Sequence, residues 1–242
     1  MLSWKRRVLA LLLFGTAFGY LEAAVVSYLR YLHEPIRQRF YPGRDPGELF
    51  PLLTRDQAEA GGPEVRKVLL TEVGREAATI VMLASVASGV AAGPGQWAAA
   101  FVIAFGAWDI TFYLFLKLLL GWPASVFTWD ILFIIPVPWV GPVAAPVLVS
   151  VAMIAAGIWH IYCESAGRNV HLSGWNWAAI VIGAAIIIVS FTLDSANVAG
   201  GGLPQPFHWT IFGSGLSIGI FGYLSAAASR NPQAVTLSRA AG

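Results

Sequence analysis

The chain has 242 residues, 57% hydrophobic and 12% charged, with a formal net charge of +2. A water-soluble domain carries about twice that share of charge, so the composition excludes one and points to a membrane protein. No basic stripe interleaved with aromatics accompanies the small net charge, which excludes nucleic acid as a partner. The single cysteine, Cys163, excludes an internal disulfide, a zinc ribbon and a CxxC redox pair.

Trp4-Lys5-Arg6-Arg7 and the apolar run after it resemble a signal peptide. The run continues to Leu32, too long for the apolar core of such a peptide, and no small-x-small site ends it. It reads as a retained first span over 8–32. A polar, proline-studded segment, 33–63, lies outside the membrane. The second span is expected over 65–92, with Pro63 suited to a first helical position. Gly93-Pro94-Gly95 is a turn, and the third span, 97–120, ends at Gly121-Trp122-Pro123.

The next element is irregular. Residues 125–135 read as a short helix, broken by Pro136, Pro138 and Pro142 with Gly141 between. Non-helical backbone at membrane depth has to be buried in protein or line a wet cavity, so 136–142 is expected to be shielded. Broken helices of this kind build binding sites in many transporters. Further spans follow over 143–162, 175–193 and 208–228, joined by a short polar loop and by a Gly/Pro-rich loop, 194–207. The tail from 230 to 242 reads as disordered.

The fold class is therefore an all-α polytopic integral membrane protein, a single membrane domain over 1–242. It has six full transmembrane helices plus one proline-broken helix that re-enters the membrane. Lys5, Arg6 and Arg7 place the N-terminus in the cytoplasm and the chain in a plasma (inner) membrane. Re-entry places Arg168, Arg230 and Arg239 on the same side; a crossing would reverse them, and the arginines of 33–63 weigh against both. Trp4, Trp122, Trp175 and Trp177 suit interfacial anchors, whereas Trp108 and Trp129 lie deeper. Trp108-Asp109-Ile110 and Trp129-Asp130-Ile131 echo one another, too briefly to make a repeat.

Function is to be sought in the acids. A carboxylate at a span's centre costs about 2.5–3.5 kcal/mol on insertion scales. Glu22, Glu76, Asp109 and Asp130 all carry that cost, at depths of roughly 9–17 Å from one side of the membrane. Glu72, Arg75, Glu76 and Thr79 share one helix face, as do Asp109, Tyr113 and Lys117, and Gly15 and Gly19 lie beside Glu22. These residues are expected to converge in a polar chamber of Glu22, Arg75, Glu76, Asp109, Tyr113, Lys117 and Asp130, roofed by Trp108 and Trp129. Asp194 and His208 join it at a mouth in the re-entrant reading. The excess negative charge has to be met by protons or by a bound cation. Glu72 reads as a solvated interfacial residue, and His160, Cys163 and Glu164 as an interfacial helix end rather than a metal site.

There is no HExxH, GxSxG or phosphate loop. Two aspartates on adjacent elements are shared with intramembrane aspartyl proteases, but Gly-x-Gly-Asp is missing. Three readings stay open. The chamber binds a proton, metal or organic cation for transport, with tryptophan faces suited to the organic case. Alternatively, it is a membrane-embedded enzyme acting on a lipidic substrate through carboxylate acid/base chemistry or a divalent metal. The third is a structural subunit of a homo-oligomer or larger membrane complex, its acids serving as struts.

Overall fold

The computed structural model describes residues 3–45, 47–168 and 170–228. Its helices are α1 (Trp4–Phe40), α2 (Arg55–Ala60), α3 (Pro63–Val90), α4 (Pro94–Leu120), α5 (Ala144–Ser165), α6 (Gly174–Thr192), α7 (Ser195–Ala199) and α8 (Trp209–Ala228). Six helical stretches are long and apolar enough to cross a membrane, consistent with an all-α polytopic membrane protein. The expected tail over 230–242, with Arg230 and Arg239, lies outside the described residues.

Local chemistry sets several boundaries. Gly62, at a φ of 101°, admits Pro63 to the first turn of α3. Gly121, left-handed at a φ of 68°, ends α4. α1 runs on past its expected end, through Pro35 to Phe40. The polar residues there still find helical partners: Gln38 donates to Glu34 at 3.0 Å.

Close approach fixes the bundle. A Cβ on Gly15 would lie 2.6 Å from Ala107 Cβ and 2.7 Å from the Ala104 carbonyl. Only glycine lets α1 sit this near α4. Arg7 bonds Gln96, and Tyr20 meets Phe115, so α1 and α4 run parallel. Gly106 similarly admits the Ser150 backbone, while Gly95 abuts His160, so α5 opposes α4. Asn176 donates to the Gly222 carbonyl at 2.9 Å as α6 and α8 pair in opposite directions. Tyr223 ties α8 to α5 through the Ala156 carbonyl at 3.0 Å. Directions therefore alternate. The start of α1, the 91–93 turn and the loop after α5 share one end, and segments 41–62, 121–143 and 193–208 share the other.

The proline-broken segment departs from expectation. It is a β-hairpin, not a short helix: β1 (Trp129–Phe133) pairs antiparallel with β2 (Trp139–Pro142), with Asp130 opposite Gly141. A helix confined between Pro123 and Pro136 would be of marginal length. Trp, Ile and Phe favour a pleated strand, and β2 supplies the backbone partners. The hairpin re-enters the bundle. Phe133 lies 6.3 Å from Trp108, which is about 18 Å along α4 from its Leu120 end. Since it starts and finishes at one end, the span-length helices among the described residues number six, and re-entry, not crossing, describes the element.

The hairpin tip is not shielded as expected, for Pro136 and Val137 face outward. Proline explains how this is tolerated: Pro136 and Pro138 have no N–H to satisfy. The Pro138 carbonyl accepts from Ser195 Oγ at 2.7 Å. At the hairpin base, Phe50 packs on Val140 and Val198. Segment 41–62 is thus folded onto the bundle end. Arg37 donates to the Glu48 and Leu49 carbonyls, and Tyr41 to the Leu52 carbonyl at 3.0 Å.

The α1–α4 seam yields a test. Gly15→Leu is expected to lower stability by more than about 2 kcal/mol through overpacking. Gly74→Ala, where a Cβ meets nothing within 4 Å, should raise it by up to about 1 kcal/mol. Thermal unfolding of the purified proteins in detergent reads both.

Candidate functional site

Under the hairpin lies a cavity of about 70 Å³. α1 contributes Glu22, α3 contributes Arg75, Glu76 and Thr79, α4 contributes Trp108, Asp109 and Tyr113, and Ile131 to Phe133 of the hairpin close it. Helical spacing delivers each face, as the stripes at three and four residues require. Glu22, Glu76, Asp109 and Asp130 are each at most 9% exposed. None faces outward, but each is answered by a different element.

Glu22 is met by Arg75, whose Nε also donates to Glu72 Oε2 at 2.8 Å. Glu72 is therefore a partner in the site's charge balance, not a solvated interfacial residue. Glu76 accepts the Ile134 backbone N–H through both oxygens at 3.0 Å. Asp130 accepts from the Tyr113 hydroxyl at 3.0 Å. Arg30, stacked 4.0 Å above the Trp122 ring, acts on Asp130 through its charge. Asp109 accepts from Ser150 Oγ at 2.8 Å. Among the described residues no cation lies within ion-pair distance of Asp109. Trp108 lines the same cavity, and its buried Nε1–H has no acceptor among them.

Not every expected member lines the cavity: Asp130 lies behind Tyr113, which lines it. Lys117 points away, donating to the Gly121 and Pro123 carbonyls at 2.8 Å each. It caps the end of α4, where a cation meets free carbonyls and the negative end of the helix dipole. Trp129 roofs a different cavity, of about 160 Å³, beside Asp194 and His208. Strand alternation is the cause: successive side chains of β1 face opposite ways, so Trp129 and Asp130 diverge. Asp194 and His208 form no mouth to the acid chamber. Asp194 braces its own loop, accepting from Asn197 and from the Gln205 N–H.

Three participants escaped the sequence reading. Arg30 lay in view as a charge inside the first span. Ser150 gave no signal, since most helical serines bond their own backbone, as Ser85 and Ser88 do here. The Ile134 N–H becomes available only because the segment is a hairpin. At the opposite end of α5, buried His160 lies 3.5 Å from Glu164. Among the described residues no three His, Cys, Asp or Glu side chains come together as a metal site.

No protein-family model, curated protein or solved structure matches the chain. The site's chemistry has to be read from its own residues.

The partners separate two kinds of acid. Glu22→Gln removes the counter-charge of half-buried Arg75 and should cost about 2 kcal/mol, with Glu72 retaining part of the bond. Asp109→Asn keeps an oxygen for Ser150 and replaces a buried carboxyl that no cation meets among the described residues, so without added ligand it should be neutral or stabilising. Chemical unfolding in one detergent compares them directly.

Proposed function

We propose that the chain is a multi-pass membrane protein whose carboxylate chamber binds a proton or a small cation for transport. The observation that carries this reading is Asp109: buried, bonded by a neutral hydroxyl, bordering a cavity, and without a cation within ion-pair distance among the described residues. A buried carboxylate is not left charged and alone; a proton or a cation answers it. Around the chamber five acids, Glu22, Glu72, Glu76, Asp109 and Asp130, are set against two guanidinium groups, Arg75 beside Glu22 and Glu72 and Arg30 acting on Asp130. The balance favours a positively charged ligand.

Size narrows the ligand. A cavity of about 70 Å³ lies far below the roughly 300–1,000 Å³ of pockets that bury drug-sized ligands, which favours a proton or a small hydrated cation over a lipid head group or a bulky organic cation. That weighs against the enzymatic reading with a lipidic substrate. A strut role accounts for Glu22 with Arg75, yet it leaves Asp109 unexplained.

The proposed setting is a plasma membrane with the N-terminus in the cytoplasm. Lys5, Arg6 and Arg7 open the first span with no acid in its first turn. The chamber then opens toward the outside. A cysteine placed at Ala60 should react with a membrane-impermeant maleimide in intact cells; protection there until lysis reverses the orientation.

Ligand binding to the native state alone stabilises it by about 2.7 kcal/mol at a hundredfold excess over Kd. Stability contributed by the chamber should therefore rise as pH falls or as Na⁺ or K⁺ is added, and be lost as the ligand is withdrawn. Asp109→Asn should abolish the response. In liposomes, the wild type should collapse an imposed pH or cation gradient and Asp109→Asn should not. Equal stability curves for both proteins, together with no flux, would overturn the reading.

A further inference from the structure

The walls of the chamber are unequal. Between α1 and α4, and between α4 and α5, glycines bring backbones into contact, leaving no room for passage. The hairpin is fastened on its α4 and α6–α7 sides. Asp130 is held by Tyr113, Pro138 by Ser195, Gly141 lies against Phe191, and Val140 is buried beside Phe50. α3 is fastened differently along its length. Leu83 and Ala87 are fully buried in the core shared with α1 and α4. Toward the hairpin, α3 exposes Leu69, Leu70 and Val73 outward. Its inward hold there is polar: Arg75 on Glu22, and Glu76 on the Ile134 N–H.

We infer that the seam between α3 and the hairpin is the chamber's gate, and that the ionised carboxylate of Glu76 is its latch. This rests on the chamber being a ligand site. The latch is chemical. An ionised carboxylate takes the Ile134 N–H with both oxygens, and such charge-assisted bonds are roughly twice as strong as neutral ones. A proton delivered to Glu76 removes the charge and puts an O–H donor on one of the two oxygens that face a donor. The attraction across the seam drops, and the outer half of α3 turns about the packed Leu83–Ala87 region. A proton that answers the chamber's acids thus also opens the way into it, whereas a bound cation holds the seam closed.

The groups facing Glu76 make its charge sensitive to occupancy. From α3 come Arg75 and Glu72, from α1 Glu22, from α4 Asp109 and Tyr113, and from the hairpin the Ile134 N–H with Asp130 beyond Tyr113. A cation among these acids favours the ionised, latched state. Its departure leaves neighbouring negative charges that favour protonation and release. Gate and site are coupled through shared electrostatics, with no separate relay.

The test is a distance. Cys163 is the chain's single cysteine, so Cys163→Ser clears the background. Spin labels are placed at Val73 on α3 and Val137 at the hairpin tip, both exposed. Pulsed electron–electron resonance in nanodiscs then reads the seam. At neutral pH one short distance population is expected, with a second, longer population appearing as pH falls. Glu76→Gln should show the longer population already at neutral pH. Glu76→Asp, which keeps the charge but falls short of Ile134, should show it too and serves if the glutamine variant does not fold. Asp109→Asn should leave the seam closed at neutral pH. A single unchanged distance in both Glu76 variants, with the protein folded, overturns the latch even if the chamber binds its ligand. A longer population in those variants with no pH response in the wild type upholds the latch and removes the proton as the chamber's ligand.

Discussion

A carboxylate within a membrane span has to be answered from inside the protein, and four such answers hold this chain together. Glu22 is answered by Arg75 across α1 and α3. Glu76 is answered by the Ile134 backbone, which brings the hairpin against α3. Asp130 is answered by Tyr113 and Arg30, which brings it against α4 and α1. Asp109 is answered by Ser150 alone among the described residues, across α4 and α5. Apolar packing cannot choose among helix neighbours as sharply, since lipid tails compete with it. The polar contacts select which elements meet, and the glycine seams set how closely.

The hairpin is the most demanding of these elements. It carries irregular backbone about 18 Å into the bundle, where each free N–H or carbonyl is costly. The chain meets that demand by three means. The strands pair with each other, Glu76 and Ser195 take the exposed N–H and carbonyl at the tip, and two prolines remove donors altogether. The acid that looks anomalous in α3 is thus part of what makes the hairpin possible. On the proposed reading, function and architecture draw on the same side chain, and a change in the charge of Glu76 would loosen the hairpin's hold on α3.

The six spans were legible because hydrophobic length in a membrane is a strong signal, and the acids stood out against it. The convergence of Glu22, Glu76 and Asp109 on one cavity was legible too, whereas Asp130 reaches Tyr113 from a strand that helix rise does not describe. What was hidden followed from one local decision. Treating 125–135 as helix put Trp129 beside Asp130 in the chamber, whereas a strand turns them to opposite faces. Lys117 was assigned by face, but its long stem reached the helix end, where free carbonyls compete for an ammonium group. Ser150 could not be seen in advance, because its role depends on the α4–α5 crossing that Gly106 permits. The extension of α1 to Phe40 was masked by Pro35, which the helix accommodates.

The central claim is that no cation of the protein meets buried Asp109 among the described residues, so that a proton answers it when no cation is bound. Infrared difference spectroscopy on the purified protein, washed free of added cations, tests it most directly. The account predicts a protonated-carboxyl band that shifts on deuteration, disappears in Asp109→Asn and persists in Glu22→Gln, whose carboxylate is ion-paired. Absence of any such band in the cation-free protein, or a band untouched by Asp109→Asn, would contradict it.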